Sequence, residues 1–260
     1  MTTDRPDNED ARVLADWVTE LEARHLANLR VPEVTRALRA LSSAYVQRRA
    51  DAVPRVMESA GKRAAFALFY APLHFLATSH VVRALKADIP PPRAILDIGC
   101  GTGAAGAAWA IASASTPTVT GMDRHPWAVT ETRWTYRQLK LAGHARRGDV
   151  ARLPPLTSGT AVVAAYVLNE LPGPLRAQVE DRLIDAINRG TRVLVLEPIA
   201  RSITPWWNQT ASRIEAAGGR ADEWRFDVDL PPLVRLLDKA AGLNHRELTL
   251  RSLYCAGTNR

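Results

Sequence analysis

The chain has 260 residues, 47% of them hydrophobic and 23% charged, enough to bury one large core or one core with a helical cap. Its two cysteines, Cys100 and Cys255, exclude a disulfide framework and a metal cluster built on cysteine, so no metal is expected. The net charge of +7 would suit a nucleic-acid partner. Only four of the 34 basic residues are lysines, however, and an arginine excess of that kind also follows from a GC-rich genome.

Residues 1–10, rich in Asp, Asn and Thr, read as a disordered tail without the basic and apolar regions of a signal peptide, so cytoplasm is the expected location. From Ala11 to Ala87 the spacing is helical. Trp17, Leu21, Leu26 and Leu29 lead to a break at Pro32, and Val34, Ala37, Leu38 and Leu41 carry on to Tyr45. After Pro54 a further helical stretch runs to Lys86, interrupted or kinked near Pro72. No run is read as long and apolar enough to cross a bilayer. The helical cap is therefore set at 11–89, and Pro90–Pro92 link it to a sheet domain over 90–260.

The sheet domain opens on Ile95, Leu96 and Ile98, a short apolar run suited to a buried parallel strand. Gly99, Gly101 and Gly103 then make a tight turn, and an Ala-rich helix follows from about Gly103. Thr118 to Asp123 reads as a second strand ending in an acid. The next helix has Pro126 in its first turn and Gly143 at its end. Arg133, Arg137 and Lys140 form a basic stripe on it, and Trp127, Trp134 and Leu141 an apolar one. Arg146, Arg147 and Arg152 follow, so the stripe is either a solvated face or a phosphate-binding one. Ala161 to Leu168 reads as a fourth strand and Arg192 to Glu197 as a fifth. Their carboxyl ends carry Asn169-Glu170 and Glu197-Pro198, where open α/β sheets place a ligand crevice. Residues 199–230, with Trp206, Trp207 and Trp224, read as an insertion that either packs on the sheet or covers a substrate. A helix from Leu233 to Ala241, ended by Gly242, and hairpin strands within Glu247–Tyr254 complete an α/β domain.

Two ligands suit the glycine turn. Gly101-Thr-Gly103-Ala-Ala-Gly106 fits the dinucleotide fingerprint, with Asp123 20 residues beyond Gly103, which implies an oxidoreductase. Leu96-Asp97-Ile-Gly-Cys-Gly-Thr-Gly103, by contrast, resembles motif I of the class I S-adenosylmethionine-dependent methyltransferases. An acid beside the turn repels a pyrophosphate and attracts a sulfonium and an ammonium group, so Asp97 favours the methyltransferase. The resemblance implies a Rossmann-like, mostly parallel sheet with helices on both faces beside the helical N-terminal region, and S-adenosylmethionine as cofactor. It assigns the cofactor to Asp97, Gly99, Cys100, Gly101 and Gly103, to Asp123 and Arg124 at the ribose, and to Asp149 and Val150 at the adenine. A carboxylate offers two acceptor oxygens to a vicinal diol, which is the physical basis of the Asp123 assignment. Asp149 reads equally well as a turn aspartate.

Asn169 and Glu170 are the candidate catalytic groups, and helix caps otherwise. Trp206, Trp207, Arg133 and Arg137 are the candidate substrate contacts. The Asn169-Glu170-Leu171-Pro172 sequence lacks the aromatic of the DNA-adenine type of amino methyltransferase. No cysteine stands where an RNA cytosine-5 enzyme needs its nucleophile. Leu41-Ser-Ser-Ala-Tyr45 with Arg48-Arg49, Ala165 to Leu171, and Val195 to Pro198 resemble bacterial relatives of the mitochondrial small-ribosomal-subunit methyltransferase-like assembly factors. The cluster-binding cysteines of the mitochondrial members have no counterpart, and Ile199 replaces the usual glycine after Glu197-Pro198. That resemblance implies ribosomal RNA or the small subunit as partner, with transfer or with binding alone; a small-molecule acceptor is the other expectation.

Overall fold

The structure is a computed structural model that describes residues 6–47 and 57–257. Internal contacts divide the chain into two units, Met1–Leu76 with Phe226–Leu248, and Ala77–Arg225 with Thr249–Arg260.

In the first unit α1 spans Pro6–His25 and α2 Val31–Gln47. Of the expected tail, residues 6–10 are helical and residues 1–5 lie outside the described residues. Arg48, Arg49 and Pro54 also lie outside the described residues. Next come α3 (Ala60–Ala65), a π turn (Phe66–Tyr70) and α4 (Ala71–Ala84), which passes into the second unit. Pro72 has no N–H for the Leu68 carbonyl, and its ring would strike that carbonyl in a straight α-helix. The chain answers by widening one turn, with the Ala71 N–H bonded to the Phe66 carbonyl, so the expected interruption is a π turn just ahead of the proline. Contrary to expectation, Ala60–Ala84 is long and apolar enough to cross a membrane, but 78% of its most apolar window is buried within the protein. Trp17, Leu21, Leu38, Leu41, Leu68 and Phe75 fill this unit's core, with the Trp17 and Phe75 rings 5.8 Å apart. Helix α9 (Pro232–Ala241) packs on α2 and on the π turn, and Gly242 ends it in the left-handed region.

The sheet has seven strands in the order β3-β2-β1-β4-β5-β7-β6. They are β1 (Ala94–Ile98), β2 (Thr118–Asp123), β3 (Gly143–Arg147), β4 (Thr160–Ala165), β5 (Arg192–Pro198), β6 (Arg220–Asp227) and β7 (Glu247–Cys255). The first five pair in parallel, and β7 runs antiparallel to β5. This confirms the expected Rossmann-like architecture. Helix α5 (Ala104–Ala112) packs on β1, β2 and β4, and α6 (Pro126–Gln138) on β2 and β3. Helices α7 (Gly173–Asn188) and α8 (Trp207–Ala216) share one buried cluster with Leu96, Ile98, Val162 and Val195. Side chains alternate along a strand, so Asp97, between Leu96 and Ile98, points the other way, to α5.

Four local expectations change. Helix α6 ends at Gln138, and Gly143 starts β3, an edge strand in which only Ala145 is buried. β4 stops at Ala165, because Tyr166 takes φ 60° and donates its N–H to the Leu196 carbonyl at 2.7 Å. Residues 199–230 hold α8 and β6, the far edge of the sheet, rather than a separate cover. The strand Glu247–Cys255 is single, and its neighbour at the sheet edge is β6.

Candidate active site

Everything that converges does so at the carboxyl ends of β1, β2 and β4. The turn after β1 closes over the end of β2, with Gly99 and Cys100 donating their N–H groups to the Met122 carbonyl at 2.8 and 3.1 Å. Gly99, Gly101 and Gly103 all have positive φ, and Gly103 opens α5. Asp123, the last residue of β2, pins this turn from the side. Its Oδ2 accepts from Gly101 N at 3.0 Å and its Oδ1 from His125 N at 2.8 Å. Each oxygen keeps a second lone pair for a ligand hydroxyl.

Asp97 lies beneath the turn and is buried. Its Oδ2 accepts from Gly106 N at 2.9 Å, so it satisfies one of the free N–H groups at the start of α5. Burial, with the Asp123 charge adding to it, lifts its pKa to about 7 against the pull of the Gly106 bond. A Cβ on Gly106 would stand 2.9 Å from that carboxylate and 3.0 Å from the Tyr136 hydroxyl, which explains the third glycine of the pattern by packing. Since a carboxylate already occupies the helix start, a pyrophosphate would meet a negative charge there, which removes the basis of the dinucleotide reading.

Sequence reading missed the groups that hold the turn from α6. Thr132 Oγ1 donates to the Gly101 carbonyl at 2.9 Å and lies 3.2 Å from Cys100 Sγ. Tyr136, one helical turn on, is buried below it. Their i, i+4 spacing was the available signal. Burial, and then Asp97 and Asp123, push the Cys100 thiol well up, so Cys100 packs as a small neutral side chain.

Asn169 and Glu170 sit on a 3₁₀ turn, Leu168–Glu170, and do not cap α7, which begins after Pro172 without a side-chain cap. Glu170 is open to solvent on one side, yet protein crowds its carboxylate. That crowding, and secondarily the Asp123 charge, raises its pKa to about 7, and Arg124 opposes the shift. The turn rests on Glu197, fully buried at the end of β5, whose Oε1 accepts from Leu168 N at 2.8 Å and Asn169 N at 3.2 Å.

Asp149 is exposed and caps a 3₁₀ turn, Val150–Arg152, with Oδ1 accepting from Ala151 N at 2.9 Å. The bond from Gly148 N to the Asp123 carbonyl, 2.9 Å, sets this turn beside the end of β2, and Val150 packs on the core cluster. Arg124 is exposed, and its carbonyl accepts from Arg147 Nε at 3.2 Å. Trp206 and Trp207 are not in the crevice. Both are buried in the core cluster, under Arg176 at 5.1 Å and Arg251 at 5.6 Å from the ring centres. Arg133 donates Nε to the Ala145 carbonyl at 2.8 Å, and Arg137 is exposed one turn further along α6. Among the described residues, no group of three or more His, Cys, Asp or Glu is placed to hold a metal ion.

The fold resembles that of a provisionally assigned O-methyltransferase from Nostoc punctiforme, at 15% identity and a TM-score of 0.50, over 75% of this chain and 59% of that one. It is also similar to magnesium protoporphyrin IX methyltransferase from Synechocystis (16% identity, TM-score 0.46, 70% of this chain and 80% of that). A third similar structure is the YcgJ protein of Bacillus subtilis (11%, 0.43, 64% and 93%). A search of curated proteins finds no match. Residues 95–190 match the family model for a methyltransferase domain. That match starts inside β1 and stops before β5, so the part of the sheet that frames the glycine turn is the part that matches a methyltransferase domain.

Proposed function

We propose that this methyltransferase acts on RNA, and on ribosomal RNA of the small subunit in particular. The observation that carries the reading is the location of the charge. Between Arg124 and Arg152 stand seven Lys and Arg residues against two carboxylates, so this segment holds most of the chain's net +7. All seven are exposed, whereas Glu131 is buried, and none of the seven is in an ion pair among the described residues. A genome-wide arginine bias would scatter charge. A basic layer built from α6, the open edge strand β3 and the Val150–Arg152 turn, beside Asp123, suits a phosphate backbone.

Within the crevice, Asp123 holds the ribose hydroxyls, Asp97 supports the turn and favours a cation, and Asp149 with Val150 borders the adenine. Bound adenosylmethionine supplies the electrophilic methyl group; the protein orients the acceptor and keeps water out. Glu170 is placed to accept a proton from the acceptor near neutral pH. Such a substrate places the protein in the cytoplasm.

The test is to incubate the protein with tritiated adenosylmethionine and either small ribosomal subunits or a small-molecule extract. Label in the ribosomal RNA is expected. Label confined to the small-molecule fraction would replace RNA by a metabolite. Salt-sensitive subunit binding without label would leave an assembly protein that holds the cofactor.

A further inference from the structure

Two buried acceptor atoms lack partners at the carboxyl ends of β4 and β5. One is Glu197 Oε2, and the other is Asn169 Oδ1. Their residues are already joined, because Glu197 Oε1 accepts from the Asn169 backbone N–H at 3.2 Å and from Leu168 N–H at 2.8 Å. An unpaired buried acceptor costs about 1–3 kcal/mol, and an unpaired buried charge costs more. Both atoms, on residues joined through the Asn169 backbone N–H, need a donor.

Glu197 is in no ion pair among the described residues. Arg251 stands opposite it in the β5–β7 register, but its guanidinium pairs with Glu223 at 3.1 Å and covers Trp207. Arg176 pairs with Glu180 at 3.4 Å and covers Trp206, and its charge reaches Glu197 as a pull toward ionisation weaker than the effect of burial. The remaining titratable groups nearby are Glu170, whose charge acts against ionisation of Glu197, and Tyr166, whose hydroxyl is itself buried. Arg251 Nε is buried without a partner and makes no hydrogen bond to Glu197, so a proton on Oε2 is the donor that meets the requirement.

We infer that Glu197 is held as a neutral carboxylic acid, whose Oε2–H donates to Asn169 Oδ1 while Oε1 receives the two backbone N–H groups. Glu197 is thus a positioning residue. It fixes both the backbone and the amide orientation of the turn that presents Asn169 and Glu170 to the crevice. The direction of its pKa, pushed well above the ordinary carboxyl range by burial, agrees. With Oε2 as donor, the amide oxygen of Asn169 is held inward and its NH₂ is left for the crevice.

The test compares wild type with Glu197→Gln and Glu197→Ala and needs no acceptor substrate. Glutamine offers the same acceptor and, from its NH₂, the same donor. An infrared difference spectrum, wild type minus E197Q, taken at neutral pH, is expected to show a carboxylic-acid C=O band. E197Q is expected to bind adenosylmethionine within about threefold of wild type, and E197A at least about tenfold more weakly. Wild type is expected to lose thermal stability relative to E197Q as the pH rises, because a carboxyl with a raised folded pKa stabilises fully at low pH and loses that contribution as it ionises. A difference spectrum showing a carboxylate in place of the acid band would overturn the inference. So would E197Q melting in parallel with wild type at every pH, or binding cofactor as poorly as E197A.

Discussion

Asp97 and Asp123 are both carboxylates within reach of one turn, yet they differ because of burial. Asp123 is half-buried and shared between two backbone N–H groups, whereas Asp97 is sealed below with one. Its folded pKa of about 7 lies above the ordinary 3.8, so its contribution to stability is complete below that lower value and lost as the pH rises through 7. A cationic ligand favours the ionised form. Binding of adenosylmethionine just below pH 7 should therefore release protons, with Glu170 contributing in the same direction. Calorimetry in two buffers of different ionisation enthalpy measures this. Asp97→Asn, which keeps an oxygen for Gly106 N, should bind more weakly and release fewer protons; unchanged release would move the effect entirely to Glu170. Asp123→Asn should raise the cofactor Kd by about tenfold or more in the same calorimeter, since an amide offers one acceptor where the diol needs two.

At the level of elements, the site depends on how closely the turn after β1 lies against the segment after β4. A Cβ on Gly99 would come within 2.5 Å of Val167, in a residue with φ +64°. Gly99→Ala should then cost about 2–5 kcal/mol in urea unfolding, part backbone strain and part overpacking. Adding Val167→Ala should return the packing part and leave the strain, so the double mutant should lose less than the sum of the two single mutants. Strict additivity would show that the two segments do not lie against each other at Gly99 and Val167. The sequence made β1 and β2 legible, because apolar runs bounded by glycines or ending on an acid are strong local signals. It hid β3, Gly-His-Ala-Arg-Arg, because an edge strand buries one side chain in five and needs no apolar alternation. It also hid the end of β4. Val167 and Leu168 continue the apolar run, and nothing in a tyrosine announces a positive φ. For Trp206 and Trp207 the sequence left packing and substrate cover both open, because an aromatic pair after a proline suits either, and they are the core side of the start of α8.

Over the whole molecule, net charge is a weak guide until it is located. The overall +7 is compatible with any arginine-rich protein, but its concentration on α6, β3 and the turn after it gives the proposed RNA contact a surface on which it can be tested. Exposed residues there can be changed without touching the core, which makes the charge separable from the fold. Replacing Arg137, Arg147 and Arg152 together by Gln should leave the melting temperature and the adenosylmethionine Kd near wild type. For RNA it should lower affinity across sequences. The slope of log K against log salt should also become shallower, by about 0.7 for each single-strand phosphate that is no longer neutralised, or about 2 for all three. Fluorescence anisotropy with a small-subunit RNA fragment over a salt titration reads both numbers. An unchanged slope would mean that the layer is only a solvated face. The acceptor would then have to be sought at the Asn169 and Glu170 end of the crevice, among molecules that carry no phosphate backbone.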